Sequence, residues 1–341
     1  MASWHGALAC LVLAACGAAE RAAGPDLQMI LADRPAERLS DYGLFIDAGA
    51  ETPADGVLAY DLINPLFSDY AEKDRYVFTG GEPAEVNGSE VLELPTGSVL
   101  VKHFSYPETG KLETRILIRK ADGWRAYPYV WNAAGTEATY APIGAKLTVE
   151  TEDPDGVPLT LAYAVPNQNQ CKTCHQIGDE IAPIGPKPHN LNHDGPYGRN
   201  QLSHWMEAGL LARGDRVFDA VPAIERGEGD ARTRGRAYLD INCAHCHRAG
   251  GSASNSGLWL EWTEDDPVKL GVGKHPTAAG RGSGQLRHVV VAGAPDASIL
   301  MHRMVSTEAG VAMPELGRTQ VDAEGLEHVH AWIATLETPP Q

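Results

Sequence analysis

The sequence predicts a multidomain protein in which an antiparallel β-sandwich or barrel-like domain precedes a mainly α-helical region. Three observations support this prediction. The 341 residues exceed a typical single-domain length; short β-branched and aromatic runs occupy one half, and apolar residues at helical spacing occupy the other. We expect a lipoprotein signal peptide at 1–15, a linker at 16–38, a β-rich domain at 39–165, a segment around one cysteine motif at 166–229 and a domain around a second motif at 230–341.

The composition narrows the class of protein. With 43% hydrophobic and 21% charged residues, the chain can bury a core. The formal net charge of −17 excludes a nucleic-acid binder, because phosphate contacts need clustered Lys and Arg. No run of 18 apolar residues occurs, although a membrane-spanning helix would require one.

The N-terminal residues have the features of an export signal. Residues 7–15 are apolar and small, and they end in Leu-Ala-Ala followed by Cys16 and Gly17. This resembles the bacterial lipobox, in which the cysteine becomes the lipidated N-terminus. We therefore expect Cys16 to anchor an exported protein on the periplasmic side of the membrane, and Gly17 is compatible with the outer membrane. The alternative is an ordinary signal peptide that is cleaved nearby.

Apart from Cys10 in the signal and Cys16, the cysteines form two copies of one motif, C-x-x-C-H. The residues are Cys171, Cys174 and His175, and Cys243, Cys246 and His247. This is the attachment signature of c-type haem, in which two thiols bind the vinyl groups and the histidine is an axial iron ligand. A zinc ribbon separates its pairs by only about 15–20 residues, and two disulfides would leave both histidines unexplained. We predict two covalently bound haem c groups.

The β-rich domain is predicted from three runs of β-branched and aromatic residues at 99–104, 114–118 and 124–131. Turn signals at 121–123 and 153–156 separate such runs. Several short strands at this spacing favour an antiparallel sandwich or barrel.

The last domain resembles class I cytochrome c. Residues 235–242 form a plausible helix that runs into Cys243, and 321–336 carry apolar residues at helical spacing. In the cytochrome c fold the first and last helices cross, and a small residue allows them to approach. We expect Gly235 and Trp332 to lie at that crossing.

A sixth ligand for the second haem iron is expected from a methionine of this domain. Met313 lies in a loop just before the last helix, whereas Met301 and Met304 lie in a predicted helix, where methionine usually packs. We therefore assign Met313 as the axial partner of His247.

The sequence leaves several candidates for the distal ligand of the first haem. We expect the short segment 166–229 around the first motif to pack against the β domain or against the haem of the second motif (haem 2). A loop is expected to lead into Cys171. The candidates are His204 and Met206 on a predicted helix at 200–211, His189 and His193 in a loop, or an open iron site. His245, inside the second motif, is expected to point away from the iron into solvent.

From about residue 39 to its end, the chain resembles a family of bacterial exported dihaem c-type cytochromes with an N-terminal β domain. The matching stretches are 39–45, 64–70, 127–132, 165–171, 200–202 with His204 and Trp205, and 240–247. The resemblance implies two covalent haems and a redox role, and it favours His204 because the His-Trp pair belongs to the family's pattern. It implies no substrate.

The sequence therefore predicts electron transfer by an exported, lipid-anchored dihaem c-type cytochrome with redox proteins as partners and no catalytic residue. Haem 2 would be a His/Met relay that exchanges electrons with haem 1. One alternative is a dihaem peroxidase or oxidase with an open haem iron. Another is an electron-accepting subunit that docks to an exported dehydrogenase through the β domain.

Overall fold

A computed structural model describes residues 24–86, 91–214 and 218–337 of the protein. The predicted signal peptide, the lipidation candidate Cys16 and residues 17–23 of the predicted linker lie outside the described residues. Within the described ranges, no helix has the length and apolarity that crossing a bilayer would need.

An antiparallel sheet of six strands, in which each strand pairs with the next along the chain, forms the N-terminal part. The strands are β1 (Leu58–Tyr60), β2 (Arg75–Phe78), β3 (Val99–Tyr106), β4 (Gly110–Lys120), β5 (Gly123–Trp131) and β6 (Ala138–Tyr140). The three predicted β runs lie in β3, β4 and β5, so the prediction of antiparallel β structure is confirmed. Among the described residues β1 and β6 do not pair with each other, and the sheet is open.

Besides the sheet, the described structure contains two small hairpins and several helices, the first of which precedes the sheet. The hairpin strands are β7 (Ala145–Glu152) with β8 (Pro158–Val165), and β9 (Gln176–Ile177) with β10 (Glu180–Ile181). The helices are α1 (Leu27–Leu31), α2 (Gln168–Cys174), α3 (Pro188–Leu191), α4 (Gln201–Glu207), α5 (Ala231–Asn242), α6 (Ile299–Val305) and α7 (Ala323–Thr335). Helix α4 is shorter than predicted, because the chain turns at Gly209 with a φ of +77°.

The two faces of the sheet pack against different parts of the chain, since successive strand residues point to opposite sides. One face packs under the N-terminal segment in a core that includes Tyr42 and Ile116. On the other face, Leu100 shares a core with Trp205 of α4, which is fully buried. The segment that follows the first cysteine motif therefore packs against the sheet.

Helices α5 and α7 cross at Gly235, and the predicted contact with Trp332 is confirmed. A Cβ atom at residue 235 would lie 2.4 Å from the Trp332 Cβ and 3.0 Å from the His328 carbonyl oxygen. Only glycine allows this approach. The crossing forms part of a core that also contains Leu239 and Ile333, and it fixes where α5 delivers the second motif.

Candidate functional site

The first motif begins inside α2. Asn167 caps this helix: its side chain accepts a hydrogen bond from the Gln170 amide at 2.9 Å, and the Gln170 side chain accepts one from the Asn167 amide at 2.9 Å. Cys171 and Cys174 are three residues apart and so share a helix face, and His175 follows as the C-terminal cap. The expected loop before Cys171 is therefore wrong, because this reciprocal cap starts a helix there.

A cavity of about 240 Å³ lies between the sheet, α2 and α5, and Cys171, Cys174 and His175 line it. We call it the first cavity. The Nδ1 of His175 donates a hydrogen bond to the Ala182 carbonyl oxygen at 3.1 Å. The β9–β10 hairpin returns the chain to make this contact. Because Nδ1 is engaged, Nε2 is the nitrogen available for a metal.

The second motif starts where α5 ends. The Cys243 amide donates to the Leu239 carbonyl oxygen at 2.9 Å and closes the helix. Cys243, Cys246 and His247 line a cavity of about 440 Å³, the second cavity. The Nδ1 of His247 lies 3.1 Å from the Ser256 hydroxyl oxygen, so this ring is oriented in the same way as His175.

Two methionine side chains line the second cavity together with His247. Met313, in the loop between α6 and α7, is held by a hydrogen bond from its amide to the Arg303 carbonyl oxygen at 3.0 Å. Its own carbonyl oxygen accepts a hydrogen bond from Arg318 at 2.8 Å. Met304 also lines this cavity, whereas Met301 is buried in the core and does not. The structure thus brings Met313 to the second motif and leaves Met304 as a second thioether there.

Burial favours the uncharged form of His175, His247 and Cys243. It lowers the pKa of His175 to about 3 and that of His247 to about 4, because the charged imidazole would lose its hydration. Neutral imidazole is the form that binds a metal. Burial also raises the pKa of Cys243 to about 12.

The two motifs lie against each other. The Sγ of Cys246 is 3.6 Å from the Thr173 carbonyl oxygen, and the ligand atoms of Cys174, His245 and Cys246 all lie within 4.8 Å of one another. Cys174 and His245 line both cavities. The expectation that His245 is solvated is wrong: it is 7% exposed, and its Nδ1 has no hydrogen-bond partner among the described residues.

His204 does not line either cavity. Its ring packs at 4.1 Å from the Tyr197 ring centroid, and its Nδ1 contacts Arg199. Its neighbour Trp205 points the other way, into the core under the sheet. The structure therefore does not bring His204 to His175.

The other sequence candidates for this position also lie elsewhere. Met206 packs in the core with Trp205, and His189 lies 3.1 Å from the Asp240 carboxylate. His193 contacts the Gln201 side chain at 2.9 Å. None of these three side chains lines the first cavity.

A buried ion pair that the sequence did not reveal links the two halves of the site. Lys187 Nζ lies 2.7 Å from the Asp240 carboxylate, and both side chains are less than 5% exposed. Asp240 sits on α5, and Lys187 directly precedes α3, so the pair joins the helix before the second motif to the segment after the first. The only sequence signal for this ion pair was that Asp240 lies in the helix that leads into the second motif.

Comparisons with protein-family models, curated proteins and solved structures found no match to this chain. The chemistry must be inferred from the geometry. Each cavity is lined by both cysteines and the oriented, neutral histidine of one motif, Cys174 and His245 line both cavities, and the four cysteines form no disulfide. Such a set can bind a soft metal ion or attach an iron porphyrin.

Proposed function

We propose that the protein transfers electrons through two covalently bound haem c groups, one in each cavity. The main supporting observation is that both cysteines and the histidine of each C-x-x-C-H motif line one cavity, with the histidine Nδ1 hydrogen-bonded. A metal ion shared by Cys174, His245 and Cys246, whose ligand atoms lie within 4.8 Å of one another, would leave the other cysteine and the histidine of each motif without a role. When bound, haem supplies one-electron chemistry at its iron.

The residues have distinct roles in this proposal. Cys171 and Cys174 hold haem 1 and Cys243 and Cys246 hold haem 2 through thioether bonds. His175 and His247 are the proximal axial ligands, and the Ala182 carbonyl and the Ser256 hydroxyl fix their ring orientation. Met313 is the proposed distal ligand of haem 2, which would raise its potential relative to a haem with two histidines.

The part of the chain from residue 230 onward is proposed to adopt the class I cytochrome c fold. The crossing of α5 and α7 at Gly235 and Trp332 supports this, as does the position of Met313 in the loop before the last helix. Closure of the β-rich part into a sandwich with the β7–β8 hairpin is the corresponding proposal for the N-terminal half. Phe104 of β3 and Leu161 of β8 share a core that supports it.

Export and lipid anchoring at Cys16 remain part of the proposal and rest on the sequence alone. Redox proteins on the periplasmic side of the membrane would be the partners. A Cys16→Ser variant should yield a soluble red protein, since a single lipid-bearing residue provides the anchor. Haem protein that stays with the membrane would contradict that assignment.

The test of the central proposal is a haem count on the exported full chain, by mass and by the pyridine haemochrome spectrum. We expect two haems per chain, and one in a Cys171→Ala/Cys174→Ala variant. The matched control is Lys172→Ala, which changes a variable position of the same motif and should keep both haems. A protein that carries zinc and no haem would contradict the proposal.

One observation favours a second candidate, a ligand-binding or peroxidase-type haem 1. Among the described residues that line the first cavity, the histidines are His175 and His245, and no methionine is present. Apart from His245, which belongs to the second motif, no imidazole or thioether of the described residues lines this cavity with His175. Turnover of hydrogen peroxide at one haem of the pure protein would favour this candidate over a pure relay.

A further inference from the structure

Three cationic side chains lie in one row across the sheet. Arg75 on β2 pairs in register with Lys102 on β3, and Lys102 pairs with Arg115 on β4. Directly paired residues point to the same face of a sheet. All three line the first cavity, as do Cys171 and His175.

Among the described residues, only one member of this row has a carboxylate partner. Arg115 forms a two-pronged ion pair with Glu113, with contacts of 2.5 and 2.9 Å. The Nη1 of Arg75 donates to the Lys73 carbonyl oxygen at 3.0 Å, while its Nη2 is buried and has no hydrogen-bond partner in the described parts of the chain. Arg75 as a whole is 7% exposed.

Lys102 likewise has no ion pair with a carboxylate in the described parts of the chain. Its Nζ lies 4.8 Å from the centroid of the Phe104 ring. Burial, followed by the neighbouring charges of Arg75, Lys73 and Arg115, lowers the pKa of Lys102 well below its ordinary value, and Glu113 opposes this shift. A negative charge in the cavity would relieve this repulsion.

This arrangement is costly unless an anion is present. Like charges directly opposite each other destabilise a sheet, and a buried donor without an acceptor loses its hydration without compensation. Clustered cations are not a general feature of this chain, because its formal net charge is −17. The unfavourable repulsion between cations is therefore local to this cavity. Arginine side chains recognise carboxylates by paired, charge-assisted hydrogen bonds.

We propose that the row formed by Arg75, Lys102 and Arg115 is an anion-binding site of the first cavity, with a carboxylate as its preferred ligand. Two sources of this chemistry exist. The first, which rests on the proposed function, is the pair of propionate carboxylates of the haem attached at Cys171 and Cys174. The second is a small soluble anion that enters the cavity beside His175.

The test compares Arg75→Gln and Lys102→Met with Arg125→Gln in the exported full chain. Arg125 lies on the same sheet but pairs with Asp122 at the surface, outside the cavity. Resonance Raman spectra would report the propionate bending bands, and a potentiometric titration would report the haem midpoints. Optical titration with azide would report a soluble anion.

For the propionate source, both cavity variants should shift one set of propionate bands, and Arg125→Gln should not. One midpoint should fall, because a lost cation favours the ferric iron; a tenfold change in the reduction equilibrium corresponds to about 59 mV. For the soluble source, the wild-type spectrum should respond to azide, and both cavity variants should weaken that response at least tenfold.

Unchanged bands and an unchanged azide response in both variants would overturn the anion site while leaving the proposed function intact. A high-spin haem in Lys102→Met alone would also overturn it, since Lys102 would then be an iron ligand. The haem count is measured first in every variant. A wild-type chain without haem at Cys171 and Cys174 would refute the proposed function and the propionate source. Calorimetric titration of that chain with azide would then test the soluble source, and binding that does not differ between wild type and Arg75→Gln would overturn the anion site.

Discussion

Cys174 and Cys246, the second cysteines of the two motifs, place their Sγ atoms within 4.8 Å of each other. The contact is made by the two motifs themselves, since Cys246 also approaches the Thr173 carbonyl oxygen. If both cysteines carry haem, the two porphyrins are attached at neighbouring atoms. An electron could then pass between the haems without an intervening protein layer.

This proximity predicts a magnetic interaction between the two haems. In the fully oxidised protein, the EPR signal of each ferric haem should be broadened by the other. Poising the sample so that only one haem is ferric should restore a sharp signal, which serves as the internal control. A fully oxidised spectrum equal to the sum of two isolated haems would show that the attachment points do not adjoin.

Met313→Ala should remove the weak near-infrared charge-transfer band that a ferric His/Met haem shows. The midpoint of the same haem should fall, since methionine ligation raises it. Both haems should remain attached, because the thioether bonds are untouched. The measurement is an optical spectrum with a redox titration.

Two methionine variants complete this test. Met301 is buried in the core and does not line the second cavity, so Met301→Ala should keep the band while costing about 2–5 kcal/mol of stability. Met304 does line that cavity. Loss of the band in Met304→Ala, with retention in Met313→Ala, would transfer the ligand assignment to Met304.

Local patterns predicted much of what the structure shows. β-Branched and aromatic runs predicted β3 to β5, and the apolar spacing predicted α5 and α7, because these elements are determined by residues close in sequence. The Gly235–Trp332 contact followed from a resemblance to a fold in which two terminal helices cross.

Contacts between residues distant in sequence could not be predicted from local patterns. The sequence predicted His204 to be an iron ligand on a helix. In the structure this helix buries Trp205 against the sheet, and His204 packs against Tyr197 instead. The row of Arg75, Lys102 and Arg115 depends on strand register, which the separate strand sequences do not specify. The burial of His245 depends on the first motif, which is distant along the chain but contributes Cys174 beside it.

Gly235→Ala should destabilise the α5–α7 crossing. The new methyl group would lie 2.4 Å from the Trp332 Cβ, so the helices must move apart. Overpacking of this kind costs about 1–3 kcal/mol. Gly214→Ala is the control, since a Cβ there meets no atom within 4 Å. Equal denaturant midpoints for the two variants would contradict the close crossing.

Asp240→Asn should change how stability depends on pH. The Lys187 ammonium and the His189 ring hold the pKa of Asp240 below its ordinary value of 3.8, against the opposing effect of burial, which is the largest single influence. A carboxylate with a depressed pKa stabilises the fold above its unfolded pKa, and this contribution is lost as the pH falls below about 3.8.

The variant should therefore be less stable by about 3–5 kcal/mol at neutral pH, because Lys187 loses its buried carboxylate. The difference from wild type should shrink as the pH falls through 3.8. Asp122→Asn is the control: its pair with Arg125 is at the surface, and such pairs are worth about 0–1 kcal/mol. A difference that stays constant down to pH 2 would contradict the buried pair as its cause.

Carbon monoxide binding to the reduced protein tests whether the iron of haem 1 has a free coordination position. The wild type should bind one CO per chain, because apart from His245 of the second motif no imidazole or thioether joins His175 in lining the first cavity of the described structure. His204→Ala should also bind one, since His204 packs on Tyr197 outside that cavity. Met313→Ala should bind two, because it opens haem 2 as well, and this variant calibrates the count.

A wild type that binds no CO, with one bound in His204→Ala, would mean that α4 turns His204 into the cavity when haem is present, and the sequence-based ligand would stand. No CO in either protein would leave Lys102 as the side chain that closes the iron from the sheet side, and Lys102→Met should then bind one more CO than its parent.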